Sequence, residues 1–154
     1  MNKIVAIVGM AGSGKSIASS YFNNKGYNLV YFGGVIYEKM KEEGIEITPE
    51  SQKEFREKIR KEHGMGVVAK LLLPKIKKLY SEGNVILDGL YSWDEYKILK
   101  EEFKDLVVIA IVCDKKLRYD RISKRKDRAF NKDEIIRRDV TEIEISAKGG
   151  PIAY

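Results

Sequence analysis

Four short stretches of this chain are apolar at nearly every position, and amphipathic segments separate them. The apolar stretches are 3–8, 27–32, 84–88 and 106–113. Continuous short runs of this kind predict parallel strands buried on both faces. Apolar residues three and four apart predict helices over about 15–24, 35–43, 48–62, 67–80, 92–103 and 131–147. A further basic helix opens at Asp114. The boundaries carry their own signals. Gly26, the Gly33-Gly34 pair, Gly44 and the stretch 63–66 end elements, and Gly149-Gly150-Pro151 closes the last helix. Thr48 reads as an N-cap with Pro49 at the first helical position, and Ser92-Trp93-Asp94-Glu95 as a capping box. Pro74 predicts a kink inside its helix. Strands alternating with helices predict an α/β fold with a parallel sheet. The helical stretch 35–80 is a long insertion between strands, the kind of excursion that carries function.

Composition narrows the class. The 154 residues suit one domain spanning 1–154, with a sizeable core. Hydrophobic residues make up 44% and charged residues 34%, which excludes a disordered chain. No apolar run reaches the ~20 residues of a membrane span, so no membrane partner is expected. The start lacks a signal peptide's apolar core. Cys113 is the one cysteine, which excludes an internal disulfide and a multi-thiolate metal site and fits a cytoplasmic setting. It reads as a small buried residue at the end of the fourth strand. The net charge of +6 suits either phosphate handling or nucleic-acid contact.

One motif sharpens this picture. Gly9, Met10, Ala11, Gly12, Ser13, Gly14, Lys15 and Ser16 form the phosphate-binding (Walker A) pattern between the first strand and the first helix. Glycines let the backbone bend and present several N–H groups at the positive end of a helix. Lys15 suits terminal phosphate oxygens, and the Ser16 hydroxyl suits Mg²⁺. Asp88 closes the third strand at the edge where such folds bind ligands, and reads as a second holder of Mg²⁺. Arg118, Arg121 and Arg125 lie on one face of the basic stretch 115–128, suited to polyphosphate. His63, the only histidine, reads as solvent-exposed. Asn131-Lys132-Asp133-Glu134 reads as an N-cap with an acidic first turn.

With loop, Asp88 and arginine row in this order, the chain resembles nucleoside-monophosphate-kinase-type P-loop proteins, which include adenylate kinases and dephospho-CoA kinases. It looks most like a small archaeal group of adenylate-kinase-related P-loop proteins. The likeness covers Gly33-Gly34-Val35-Ile36, Thr48-Pro49-Glu50, residues 60–64, Val68-Ala69-Lys70, Pro74-Lys75-Ile76 and Leu87-Asp88-Gly89 besides the loop. It implies a P-loop NTPase fold with helices on both sheet faces and ATP at residues 9–16. It also implies an acceptor-binding region at about 35–80. A mobile lid at about 118–138 would carry Arg121, Arg125 and Arg128, with Arg137 and Arg138 as further members. Three departures stand out. Gly34 occupies a place where relatives often carry an acid. Tyr37 and Tyr91 stand where monophosphate kinases place clamping arginines, with Arg60, Arg56 or Lys70 as substitutes. The chain stops at Tyr154, where the last edge strand of the sheet would begin, so either the polypeptide is truncated or that strand is missing or supplied otherwise.

The function expected from these features is Mg²⁺- and ATP-dependent phosphoryl transfer to a small nucleotide-like acceptor. Lys15, Arg121, Arg125 and Arg128 would be catalytic, Ser16 and Asp88 would hold metal, and Gly34, Tyr37, Arg60 and Tyr91 would bind acceptor. One alternative is a nucleotide-binding regulator, or weak ATPase, without transfer. The other is a nucleic-acid-processing ATPase or polynucleotide kinase acting through 115–128.

Overall fold

A computed structural model describes residues 2–124 and 131–144 of the chain. Eleven elements follow one another: β1 (Ile4–Val8), α1 (Lys15–Asn24), β2 (Asn28–Tyr31), α2 (Phe32–Glu42), α3 (Pro49–His63), α4 (Val67–Glu82), β3 (Val85–Asp88), α5 (Trp93–Glu102), β4 (Val107–Ala110), α6 (Lys115–Ser123) and α7 (Lys132–Glu144). The strands form one parallel sheet in the order β2-β3-β1-β4, so the expected α/β fold is present. Residues 145–154, where a further edge strand would begin, lie outside the described residues.

Burial explains why the central strands β1 and β3 are apolar. All five residues of β1 are buried. Ile4, Ala6 and Val8 join Val30, Val85 and Leu87 on one face, packed with Met40, Leu72, Ile76 and Leu99 from α2, α4 and α5. Val5, Ile7 and Ile86 point the other way, against Ala18 and Phe22 of α1. Alternate residues of β1 and β3 therefore meet helices on opposite sides, whereas the edge strands β2 and β4, expected to be buried on both faces, leave Leu29, Tyr31 and Val107 exposed. α3 adds Phe55 and Ile59 to the larger side.

Three boundaries differ from the sequence pattern. β2 stops at Tyr31 and α2 begins at Phe32, so Gly33 and Gly34 open a helix instead of ending a strand. The reason lies in Tyr31, whose folded-back ring would come within 2.6 Å of a Cβ at position 33. β4 is shorter than the apolar run, because the chain bends after Ala110 towards the loop that follows β1. Ile111 N–H still donates to the Val8 carbonyl at 2.8 Å, but Val112 is 89% exposed. Cys113 consequently sits half-buried beyond the strand, not in the core. α4 runs through Pro74 as one helix. The predicted caps form: Thr48 accepts from Ser51 N–H at 3.1 Å, Ser92 accepts from Glu95 N–H at 3.1 Å, and Asp114 accepts from Lys116 N–H at 2.9 Å.

Candidate functional site

The parallel sheet brings the ends of β1 and β3 side by side, with Ile7 opposite Asp88. The loop 9–16 leaves β1 there. Gly9 has a φ of 148°, and a Cβ on it would lie 2.5 Å from the Ile111 carbonyl oxygen. Gly12 has a φ of 78°, and its Cβ would lie 2.7 Å from the Arg118 carbonyl oxygen. Both positions combine a left-handed backbone with a close neighbour, so only glycine fits without strain. Lys15 Nζ donates to the carbonyls of Gly9 at 2.6 Å and Met10 at 3.0 Å, folding over its own loop. Ser13 Oγ is buried and has no hydrogen-bond partner. A buried unpartnered hydroxyl inside a glycine-built turn at a helix start fits a bound phosphate. Ser16 is exposed in the first turn of α1.

Asp88 is partly buried, and burial pushes its carboxyl above the ordinary value. A hydrogen bond with the Ser19 hydroxyl and the nearby Lys15 ammonium pull it back. Ser19 was not singled out from the sequence. It follows Lys15 by four residues, so it shares that residue's helix face, and it is buried against the sheet. Its hydroxyl also lies 3.1 Å from the Lys15 carbonyl. The donor set of Ser16 and Asp88, both oxygen ligands, fits Mg²⁺.

α6 and α7 clasp the loop from outside. Arg118, expected among the phosphate-facing arginines, is instead 6% exposed and committed to the fold. It pairs bidentately with Asp139 at 2.7 and 3.0 Å and donates to the Ala11 carbonyl at 3.0 Å. Ala11, Ile122 and Ile135 form a small apolar cluster beside this pair. Asp139, also missed from sequence, follows Ile135 by four residues and so shares its inward face. Arg121 lies over the loop: its Nη1 is 3.4 Å from the Gly12 and Ser13 carbonyls and 3.4 Å from Cys113 Sγ. Arg125 and Arg128 lie outside the described residues. A cavity of about 600 Å³ lies between α6 and α7, lined by Asp114, Tyr119, Asp120, Ser123 and Ile135 among others. Neither the loop nor Asp88 lines it.

The acceptor candidates fall into two groups. Gly34 and Tyr37 share one face of the first turns of α2, after the end of β2. Arg60 and Tyr91 meet directly, with the guanidinium 4.9 Å from the ring centroid. Their neighbour is Glu95, which sequence reading placed only in a capping box. Its Oε1 is 3.9 Å from Arg60 Nη2. Burial pushes the Glu95 carboxyl up, against backbone N–H bonds from Ser92 and Tyr91 and the Arg60 charge. His63 is exposed at the end of α3, as expected. Among the described residues, no helix is long and apolar enough to cross a membrane.

Comparison with known proteins places the chain in a family and supports the fold. A family profile described as an AAA domain matches residues 5–142. A UPF0200 protein of Sulfurisphaera tokodaii is 37% identical over 148 residues, covering 93% of this chain and 78% of that protein. One from Pyrococcus furiosus is 36% identical over 145 residues, covering 91% and 78%. A UPF0200/UPF0201 protein of Archaeoglobus fulgidus is 35% identical over 144 residues, and the chain spans 45% of its length. Two solved structures share the fold. A gluconokinase from Sinorhizobium meliloti is 16% identical, with a TM-score of 0.52 and coverage of 91% of this chain and 74% of that one. A sugar kinase from a Janibacter species is 14% identical, with a TM-score of 0.56 and coverage of 92% and 78%.

Proposed function

Because the chain belongs to the AAA domain family and to the archaeal UPF0200 group, we propose that it is an ATP- and Mg²⁺-dependent phosphotransferase with a small nucleotide-like acceptor. The observation that carries this reading is the loop 9–16 beside Asp88, with Ser13 Oγ buried and unpartnered in its turn. The loop N–H groups and Lys15 hold the donor phosphates. Arg121, with Arg125 and Arg128, gathers negative charge as the phosphoryl group moves. Ser16 and Asp88 hold Mg²⁺, which supplies charge neutralisation between the phosphates when bound. Gly34, Tyr37, Arg60 and Tyr91 surround the acceptor. α6 and α7, packed over the loop through Arg118 and Asp139, shield it from water, so that phosphate reaches the acceptor instead of solvent.

The fold similarity to two kinases supports this reading at the level of architecture. A coupled assay of ADP release across nucleoside monophosphates and coenzyme precursors tests it. The expected outcome is ADP release that rises with one class of acceptor. ADP release indifferent to every acceptor overturns transfer and leaves an ATPase; tight ATP binding without turnover leaves a regulator.

A further inference from the structure

Arg60, Tyr91 and Glu95 form a cluster that the phosphate loop does not explain. Tyr91 lies three residues past Asp88, so the cluster sits just beyond the carboxyl end of β3. Arg60 reaches it from the last turn of α3, within the helical insertion. Glu95 is the N3 residue of the α5 capping box, yet it does more than a cap requires. A capping-box glutamate accepts the N-cap N–H and is free to stay in water. Here the side chain is fully buried, and its Oε2 accepts from both Tyr91 N–H at 2.9 Å and Ser92 N–H at 3.0 Å. These two bonds fix the plane of the carboxylate. Its Oε1 is thereby aimed at Arg60 and accepts no hydrogen bond.

The guanidinium is equally incomplete. Its contact with Glu95 is long at 3.9 Å, and its buried Nε has no hydrogen-bond partner. A guanidinium carries five N–H donors and binds planar anions best. Tyr91 beneath it supplies a ring face but no charge. A buried carboxylate that holds a cation loosely, beside the catalytic edge, orients that cation without satisfying it.

Building on the phosphotransferase reading, we propose that Glu95 is the positioning residue of the acceptor subsite, holding Arg60 against Tyr91 to receive the phosphate or carboxylate of a small acceptor. Glu95 touches no substrate in this arrangement. It acts through the guanidinium, and a neutral side chain of the same shape keeps the cap but releases Arg60.

Trp93 provides the readout. It is the single tryptophan, half-exposed, two residues from Tyr91 and in ring contact with Tyr96 at 4.9 Å. The full chain, saturated with Mg²⁺ and a non-hydrolysable ATP analogue to block the loop, is titrated with inorganic phosphate while Trp93 fluorescence is followed. The wild type is expected to show a saturable change, and Arg60→Ala none. Glu95→Gln is expected to shift the midpoint at least about tenfold upward, with ATP-analogue affinity unchanged. A wild type that gives no phosphate response overturns the proposal. So does a Glu95→Gln protein that titrates like the wild type, or one that loses analogue affinity in equal measure. If Glu95→Gln does not fold, the Arg60 Nε–H resonance of the wild type decides. A slowly exchanging signal that phosphate shifts supports the proposal, and a signal lost to rapid exchange overturns it. A phosphate response without transfer to any acceptor counts against the phosphotransferase reading alone. Transfer with an indifferent Glu95→Gln counts against the positioning role alone.

Discussion

On the proposed reading, the donor and acceptor sides of the sheet's carboxyl edge are built differently. On the donor side, backbone turns and a buried bidentate pair, Arg118 with Asp139, fix the loop from outside. On the acceptor side, one guanidinium reaches across from another element and is held by a single long contact and a ring face. A short bidentate ion pair fixes angle as well as distance, whereas a 3.9 Å contact fixes little. The donor side is thus preorganised for one recurrent ligand. The acceptor side keeps a donor group in reserve.

The largest expected effect breaks the rigid side. Asp139→Ala removes the bidentate partner of the buried Arg118 guanidinium, and such a loss costs about 3–5 kcal/mol. Thermal unfolding should show a fall on the order of 10 °C for a chain of this size. Replacing Arg60 by alanine should move the melting temperature far less while raising the acceptor KM. Next in size is Lys15→Met, which removes one preorganised donor at the phosphates and should lower kcat/KM by roughly 10²–10³-fold. Stability should hardly change, as steady-state rates and a melting curve on one preparation would show.

Asp88→Asn separates stability from activity. Burial raises the folded pKa of this carboxyl, so the folded state binds its proton more tightly than the unfolded chain does. Its contribution is therefore fully present below the unfolded value and is lost as pH rises through the folded value. The variant should melt above the wild type at neutral pH, and the gap should close on acidification. Mg²⁺-dependent turnover should behave oppositely in the wild type, falling as pH drops through that raised value. Melting temperature and rate against pH, measured on both proteins, check the crossing. The smallest effect sharpens the acceptor side. Ser92→Ala removes the cap of α5 and a bond to the Met65 carbonyl, at a cost of about 1 kcal/mol. Because Ser92 adjoins Tyr91, the acceptor KM should rise more than the KM for ATP.

How much of this was readable from sequence follows the same division. The loop was legible because its chemistry is contiguous: Gly9, Gly12 and Lys15 act within one octapeptide. Asp88 was legible because it ends an apolar run. Arg118 was misplaced among phosphate-facing residues, since a row of arginines looks alike until Asp139 claims one of them. Ser19 follows the recognised Lys15 by one helical turn, a signal that was present and unused. Glu95 had a sufficient local role as a cap, which concealed its tertiary one. The start of α2 was misjudged because glycine normally stops elements, and only the folded-back Tyr31 ring accounts for Gly33 at that place. Arg125 and Arg128 lie outside the described residues.

The position of β1 in the sheet also sets the order of events when the chain folds. It is the first strand in the chain, yet its two neighbours come from the middle and the far part of the sequence, Val85–Asp88 and Val107–Ala110. Closing such distant pairs costs chain entropy before any contact repays it, and non-local parallel pairing is slow. During synthesis the apolar stretch Ile4–Val8 therefore waits unpaired while most of the protein is made. The loop that follows it meets its Ile111 neighbour only after β4 has been made, since Ile111 N–H donates to the Val8 carbonyl. Nucleotide competence is in this way a late product of folding, acquired once nearly all of the sheet is in place.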